Sequence, residues 1–405
     1  MTLKSILSST LAAIIFAAVS GRAEIGPAPS KSAGPWDLAE LRHSPEATWG
    51  QADGLLQEVY YAGEPFHGKS TRVFAYCGRP EGKGPFPAIL LVHGGGGAAF
   101  KDWARHWAKR GYVSLAMDLA GNGPAGRLTD GGPDQDDNTK FREFTDSEVK
   151  DMWTYHAVAA VIRGHSLLAS MKEVDPTRIG MTGISWGGYL TCIVAGLDDR
   201  LKVAVPVYGC GFLHENSIWL DRNFKPMSEV RLRRWVENFE PSQYLGNVKC
   251  PMLFRNGTCD FAYPLDSYQK SYSLVKAPVS LSITINLGHG HNWGLKEVDA
   301  FIDSYLTGGI SLPKVSPMKI VDGKVSATLS LPPDVTATKT ELDYTTDVGA
   351  WHARKWNTLP AELKGDTLTA TLPKERPLTF YLRVTDGRSL SICAPHVELA
   401  KESTP

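Results

Sequence analysis

Between residues 87 and 306 the hydrophobic positions switch period several times. Ala88-Ile89-Leu90-Leu91-Val92 is an unbroken apolar run, which predicts a strand covered on both faces. Over 100–110 the apolar residues Trp103, Trp107 and Ala108 recur at helical spacing, and Gly111 ends the segment. The pattern then predicts a strand at 112–117, a long helix at 149–171, a strand at 178–183 and a helix at 187–197. Further strands are expected at 203–207, 251–254 and 281–285, and an amphipathic helix at 297–306 closes the series. Strands separated by helices pair in parallel, so this stretch predicts an α/β unit with a mostly parallel sheet flanked by helices.

After Thr307-Gly308-Gly309 the helical period disappears. Short alternating runs such as 324–331 and 378–384 take over, separated by Asp322-Gly323, Gly365-Asp366 and Asp386-Gly387 turns. They predict a small C-terminal β-sandwich. At the other end, Lys4 precedes an apolar run at 11–19, and Gly21-Arg22-Ala23 supplies small residues at the positions a signal peptidase reads. We therefore expect a signal peptide at 1–23, a lead-in with one or two edge strands joined to the α/β unit over 24–309, and a β-domain over 310–405. The apolar run is shorter than the ~20 residues a bilayer requires. The expected product is secreted or periplasmic, with no membrane span.

Charge narrows the function. The 405 residues carry 43 Lys and Arg against 43 Asp and Glu. A neutral chain lacks the basic surplus that nucleic acid binding needs. Six cysteines, at 77, 192, 210, 250, 259 and 393, show no C-x-x-C spacing, so no zinc cluster is indicated. Export would permit disulfides, and the spacing selects no pairing; free buried cysteines are the alternative. Nothing in the sequence sets an oligomeric state.

The chemistry concentrates at Gly183-Ile184-Ser185-Trp186-Gly187, between a predicted strand and a predicted helix. In that context G-x-S-x-G lifts a nucleophilic serine to the end of a sheet. Ser185 needs a base, and Leu287-Gly288-His289-Gly290-His291-Asn292-Trp293 follows the last predicted strand. His291, immediately before the closing helix, is the expected base, with His289 as runner-up. An H-x-H pair can also hold a metal, but no carboxylate-rich motif accompanies it, so no metal is expected. Asp260, in Asn256-Gly257-Thr258-Cys259-Asp260 past a strand end, is the expected orienting carboxylate; Asp266 reads as a helix cap. His93-Gly94-Gly95-Gly96-Gly97 follows the first buried strand and offers bare amides. Gly95 and Trp186 N–H are the expected oxyanion donors.

The order Ser185…Asp260…His291, with H-G-G-G upstream, resembles the α/β-hydrolase fold. Within it, the 256–264 stretch and the doubled His289-Gly290-His291 resemble the acetyl xylan esterase and dienelactone hydrolase-like branch. That branch is close to the prolyl-oligopeptidase-type catalytic domain. The nucleophile is Ser, not the Cys of true dienelactone hydrolases, and the resemblance to oligopeptidases does not extend to their N-terminal propeller. The resemblance implies a cofactor-free serine esterase acting on a small ester or an acylated plant polysaccharide. A prolyl-oligopeptidase-type peptidase and a non-catalytic glycan-binding or adhesion protein are the rival readings. The acidic stretch 130–137 lacks EF-hand spacing and reads as a solvated loop. The basic run at Arg231, Arg233 and Arg234 reads as a helix face. Trp186, Trp219 and Trp293 read as core, or as surface for stacking on sugar rings.

Overall fold

In the computed structural model, which describes residues 34–401, the lead-in supplies one short helix and three strands. These are α1 (Leu38–Leu41), β1 (Ala47–Asp53), β2 (Leu56–Ala62) and β3 (Arg72–Gly78). The sequence pattern had suggested one or two strands here. β1 is almost wholly exposed along its length, so its apolar alternation is faint, and pairing to β2 is what makes it a strand.

The alternating unit follows as β4 (Phe86–Val92), α2 (Lys101–Lys109) and β5 (Val113–Met117). A two-residue hairpin, β6 (Asn122–Gly123) and β7 (Gly126–Arg127), leads to α3 (Asp137–Phe141) and α4 (Trp153–Ser170). Next come β8 (Val174–Ile184), α5 (Trp186–Leu197), β9 (Val203–Val207), α6 (Glu229–Phe239) and β10 (Met252–Cys259). The unit closes with α7 (Leu265–Ser273), β11 (Val279–Gly288) and α8 (Lys296–Leu306). The nine-stranded sheet runs β1-β2-β3-β5-β4-β8-β9-β10-β11. It is antiparallel from β1 to β5 and parallel from β5 to β11. Ala88 to Val92 of β4 are buried throughout, as their unbroken apolar run requires.

The C-terminal part forms two antiparallel sheets. One joins β12 (Lys314–Val315), β13 (Lys319–Val321), β14 (Lys324–Ser330), β17 (Glu362–Lys364) and β18 (Thr367–Thr371). The other joins β15 (Ala337–Thr345), β16 (Asn357–Pro360), β19 (Leu378–Asp386), β20 (Ser391–Cys393) and β21 (Val397–Leu399). Val325, Ala327 and Leu329 point inward from β14 while Lys324, Thr328 and Ser330 are exposed. They meet Leu342, Phe380 and Leu382 in a separate hydrophobic core.

This β-domain docks on β11, the outermost strand of the large sheet. Ser282 Oγ donates to the Ser391 carbonyl at 2.7 Å, and Ser391 N–H donates to Glu297 at 3.1 Å. Tyr381, Ile392 and Cys393 pack into the core of the large α/β unit. All six cysteines are free, and all but Cys259 are buried. Among the described residues no helix is long and apolar enough to cross a membrane. The expected signal peptide lies outside the described residues.

Candidate active site

β8 ends at Ile184 and α5 begins at Trp186, so Ser185 alone makes the turn between them. It does so at φ 59° and ψ −117°, a conformation an L-residue holds only when its surroundings impose it. Those surroundings are visible: Ser185 N–H donates to Val207 O on β9, and Ser185 O accepts Tyr189 N–H, both at 2.9 Å. Gly187 lies so close to the end of β4 that a Cβ there would overlap the Val92 carbonyl. The turn stands the Ser185 hydroxyl at the carboxyl ends of the parallel strands, where α/β sheets bind ligands.

His289 meets that hydroxyl. Its Nε2 lies 2.8 Å from Ser185 Oγ, and its Nδ1 lies 2.8 Å from Asp260 Oδ2. The carboxylate accepts, so the proton sits on Nδ1 and Nε2 is left to accept from Ser185. Asp260 is buried, and its Oδ1 accepts the N–H groups of Ala262 at 2.7 Å and Tyr263 at 2.9 Å. The expectation that His291 would be the base is corrected by this geometry: the runner-up, His289, links Ser185 to Asp260. The reason is the length of β11. Apolar pattern ended that strand at Ile285, but pairing with β10 continues to Gly288, opposite Cys259. His289 is therefore the first residue off the strand. Two residues later His291 has moved over the glycine loop, where its Nε2 accepts Gly94 N–H at 3.2 Å. Asp266 does not cap a helix; it lies in the first turn of α7, and its Oδ2 accepts from Asn216 Nδ2 at 2.7 Å.

The glycine loop is anchored by His93. Its Nδ1 lies 2.7 Å from the Gly94 carbonyl, and its Nε2 accepts Leu119 N–H at 2.8 Å. Both contacts suit a neutral ring protonated on Nδ1, and burial holds the His93 pKa below its ordinary value. Gly95 rests against the Trp186 indole; a Cβ on it would fall 2.9 Å from Trp186 Cδ1. Trp186 opens α5, so its N–H has no carbonyl within the helix to bond. The two expected oxyanion residues thus stand together beside Ser185.

Aromatic rings wall the site. Trp186 is buried, with Trp219 at 4.6 Å between ring centroids, and Tyr263 lies 5.2 Å beyond Trp219. Lys140 Nζ sits 4.7 Å from the Trp186 ring centre, and burial lowers its pKa. Trp293 stacks on Trp103 and tilts against Phe100, on the His291 side. Tyr208, Phe261 and Tyr263 surround the His289 ring at 4.7, 5.2 and 5.9 Å. None of these three was singled out from sequence, although Phe261 and Tyr263 lie within the 256–264 stretch; their contacts with His289 are made across the fold. Arg231 and Arg234 of α6 donate to the carbonyls of Phe141 and Phe144, so this basic run ties α6 to the loop around α3. A cavity of about 560 Å³ lies elsewhere, between α7, β11 and the β-domain, and neither Ser185, Asp260 nor His289 lines it.

A serine on a strand–turn–helix elbow, with an acid and a histidine after later strands of a mostly parallel sheet, defines an α/β-hydrolase. Comparison with known proteins narrows the class. A family model described as acetyl xylan esterase (AXE1) matches residues 38–243, about half of the chain, and the chain belongs to that family. The match includes Ser185 and ends before Asp260 and His289. Acetyl esterase Axe7A of Xylanibacter ruminicola is 22% identical over 236 residues, 52% of this chain and 51% of the relative. A putative carboxymethylenebutenolidase of Methylorubrum extorquens is 33% identical over 206 residues, 50% of this chain and 61% of the relative. The chain thus spans about half the length of the curated relatives it matches. Among solved structures, acetyl xylan esterase from Paenibacillus sp. R4 shares the fold with a TM-score of 0.54 at 21% identity, over 67% of this chain and 92% of that one. Acetyl xylan esterase 1 from Thermoanaerobacterium sp. JW/SL YS485 gives 0.53 at 17%, over 69% and 96%.

Proposed function

We propose that this protein is a serine carboxylic ester hydrolase that removes short acyl groups, acetyl foremost, from plant polysaccharide such as acetylated xylan. The observation that carries the reading is the 2.8 Å Ser185–His289 contact continued at 2.8 Å to Asp260. Family membership supports the ester as substrate class. Ser185 Oγ attacks the ester carbonyl as its proton passes to His289 Nε2. Asp260 holds the Nδ1–H tautomer and stabilises the imidazolium that forms. Gly95 and Trp186 N–H receive the oxyanion. His289 then protonates the departing alcohol, and the same ring activates a water that releases the acid from Ser185. The signal-like pattern over residues 1–23 supports export, which would bring the enzyme to a polymeric substrate.

The test is turnover of p-nitrophenyl acetate and release of acetate from acetylated xylan, together with labelling by a fluorophosphonate that is lost in Ser185→Ala. A wild-type protein that neither labels nor turns over sinks the proposal. Release of acetate from small esters but not from xylan would sink the polysaccharide part alone.

A further inference from the structure

Tyr263 follows Asp260 by three residues and is completely buried. Its backbone is tied on both sides: the N–H donates to Asp260 Oδ1 at 2.9 Å, and the carbonyl accepts from Asn256 Nδ2 at 3.0 Å. Its ring lies nearly parallel to the His289 imidazole, 22° between planes and 5.9 Å between centroids, and Trp219 packs edge-on to it. The side chain is therefore held in one place. Its hydroxyl faces Ser185, yet closes no hydrogen bond of good geometry with any group around it. A buried hydroxyl without a partner weakens a fold, so its presence beside the nucleophile calls for a reason. Burial first, then the neighbouring Cys210 and Asp260, hold the phenol well above its ordinary pKa. Tyr263 is thus a neutral donor beside Ser185 that makes no well-formed hydrogen bond in the resting site.

Ser185 Oγ needs a donor at two moments. At rest its own O–H is directed to His289. In acylation the proton leaves for His289 Nε2 while an Oγ lone pair forms the bond to the acyl carbon, and Oγ carries transient negative charge. In deacylation the bond between Oγ and the acyl carbon breaks, its electron pair returns to Oγ, and His289 Nε2–H gives the proton back. We propose that the Tyr263 hydroxyl donates a hydrogen bond to Ser185 Oγ in these two transition states, as a second partner of the nucleophile alongside His289. The inference rests on the serine esterase reading above. A bond that becomes well formed only in the transition state raises kcat and leaves KM nearly unchanged.

Tyr263→Phe keeps the ring and removes the donor. The expected result is a kcat on p-nitrophenyl acetate about tenfold lower, with KM within about twofold. The rate constant for fluorophosphonate labelling should fall by a similar factor, since the same oxygen forms the bond to phosphorus. Tm should be unchanged or higher, because an unpartnered buried polar group has been removed. A purely structural hydroxyl would give the opposite sign in Tm. An unchanged kcat and labelling rate, or a lower Tm accompanying the loss of activity, would overturn the role of Tyr263 while the wild type remained an esterase. A wild type inert to both reagents would overturn the esterase reading and this inference with it.

Discussion

His291 Nε2 accepts the backbone N–H of Gly94 at 3.2 Å, joining the loop after β11 to the glycine loop after β4. The ring also tilts against Phe100, 5.4 Å between centroids. Burial first, then the nearby His93 and His289, push the His291 pKa below its ordinary value. The ring therefore stays neutral to lower pH, and Nε2 remains an acceptor. Two histidines separated by one glycine thus hold different parts of the same site.

The two histidines should fall far apart in turnover. His289→Ala removes the group that receives the Ser185 proton and should lower kcat by roughly 10⁴-fold or more. His291→Ala loosens the Gly94 loop and should cost on the order of tenfold, less than losing an oxyanion donor outright. Steady-state kinetics on p-nitrophenyl acetate separates them. Equal losses, or a larger loss at 291, would reverse the assignment.

Gly94→Ala should disable the site while sparing the fold. A Cβ at residue 94 would fall 2.8 Å from the Ser185 Cβ and 2.9 Å from His291 Nε2. Relief requires the loop to withdraw from the nucleophile, carrying Gly95 with it. We expect a kcat reduced at least a hundredfold, the scale of a lost oxyanion donor, with circular dichroism unchanged. Retained turnover would show that Gly95 is not held in place through Gly94.

Stability should decline below neutrality, in part through His156. Burial pushes this ring down to about 4, against about 6.5 in an unfolded chain. The unfolded state then binds more protons between those values. The stabilisation is fully present above about pH 6.5 and is lost as pH falls toward 4. Linkage sets the full loss at roughly 3 kcal/mol, of which about 2 is gone by pH 5. His156→Phe, which keeps a ring against Phe66, should shrink the difference in urea-unfolding free energy between pH 7.5 and pH 5 by about that amount. An unaltered difference would remove His156 from the account.

Removing residues 310–405 should produce an aggregating protein. Leu281 and Ile283 of β11 are buried in the intact chain, and Ile392 and Cys393 of β20 pack in the same hydrophobic core. Without the β-domain an apolar outer strand is left open, and such strands invite pairing between molecules. Light scattering during expression and refolding tests this. A soluble, monomeric 34–309 fragment with undiminished turnover would count against it.

Several features were legible in sequence because they depend on neighbours along the chain. The unbroken apolar run of β4 and the G-x-S-x-G turn at Ser185 are local signals, and so is Asp260 past a strand end. The base was misplaced because hydropathy marks burial, not hydrogen bonding. Asn286 interrupts the apolar pattern, yet its N–H donates to Thr258 Oγ1 at 3.0 Å and the strand continues. The lead-in holds one strand more than expected for the converse reason: β1 pairs with β2, across a bulge between Trp49 and Ala52, while burying little. Tyr263 carries no local mark of its relation to Ser185, because that relation exists only once β8 and β10 lie in one sheet.

The cysteines described with the fold have one more consequence. Burial pushes the thiols of Cys77, Cys250 and Cys393 up to about 12, and raises those of Cys192 and Cys210 as well. Thiolate is the form that exchanges and oxidises, so these five sulfurs are chemically silent in the native state. None of the five is held in a disulfide, so the fold does not depend on their oxidation.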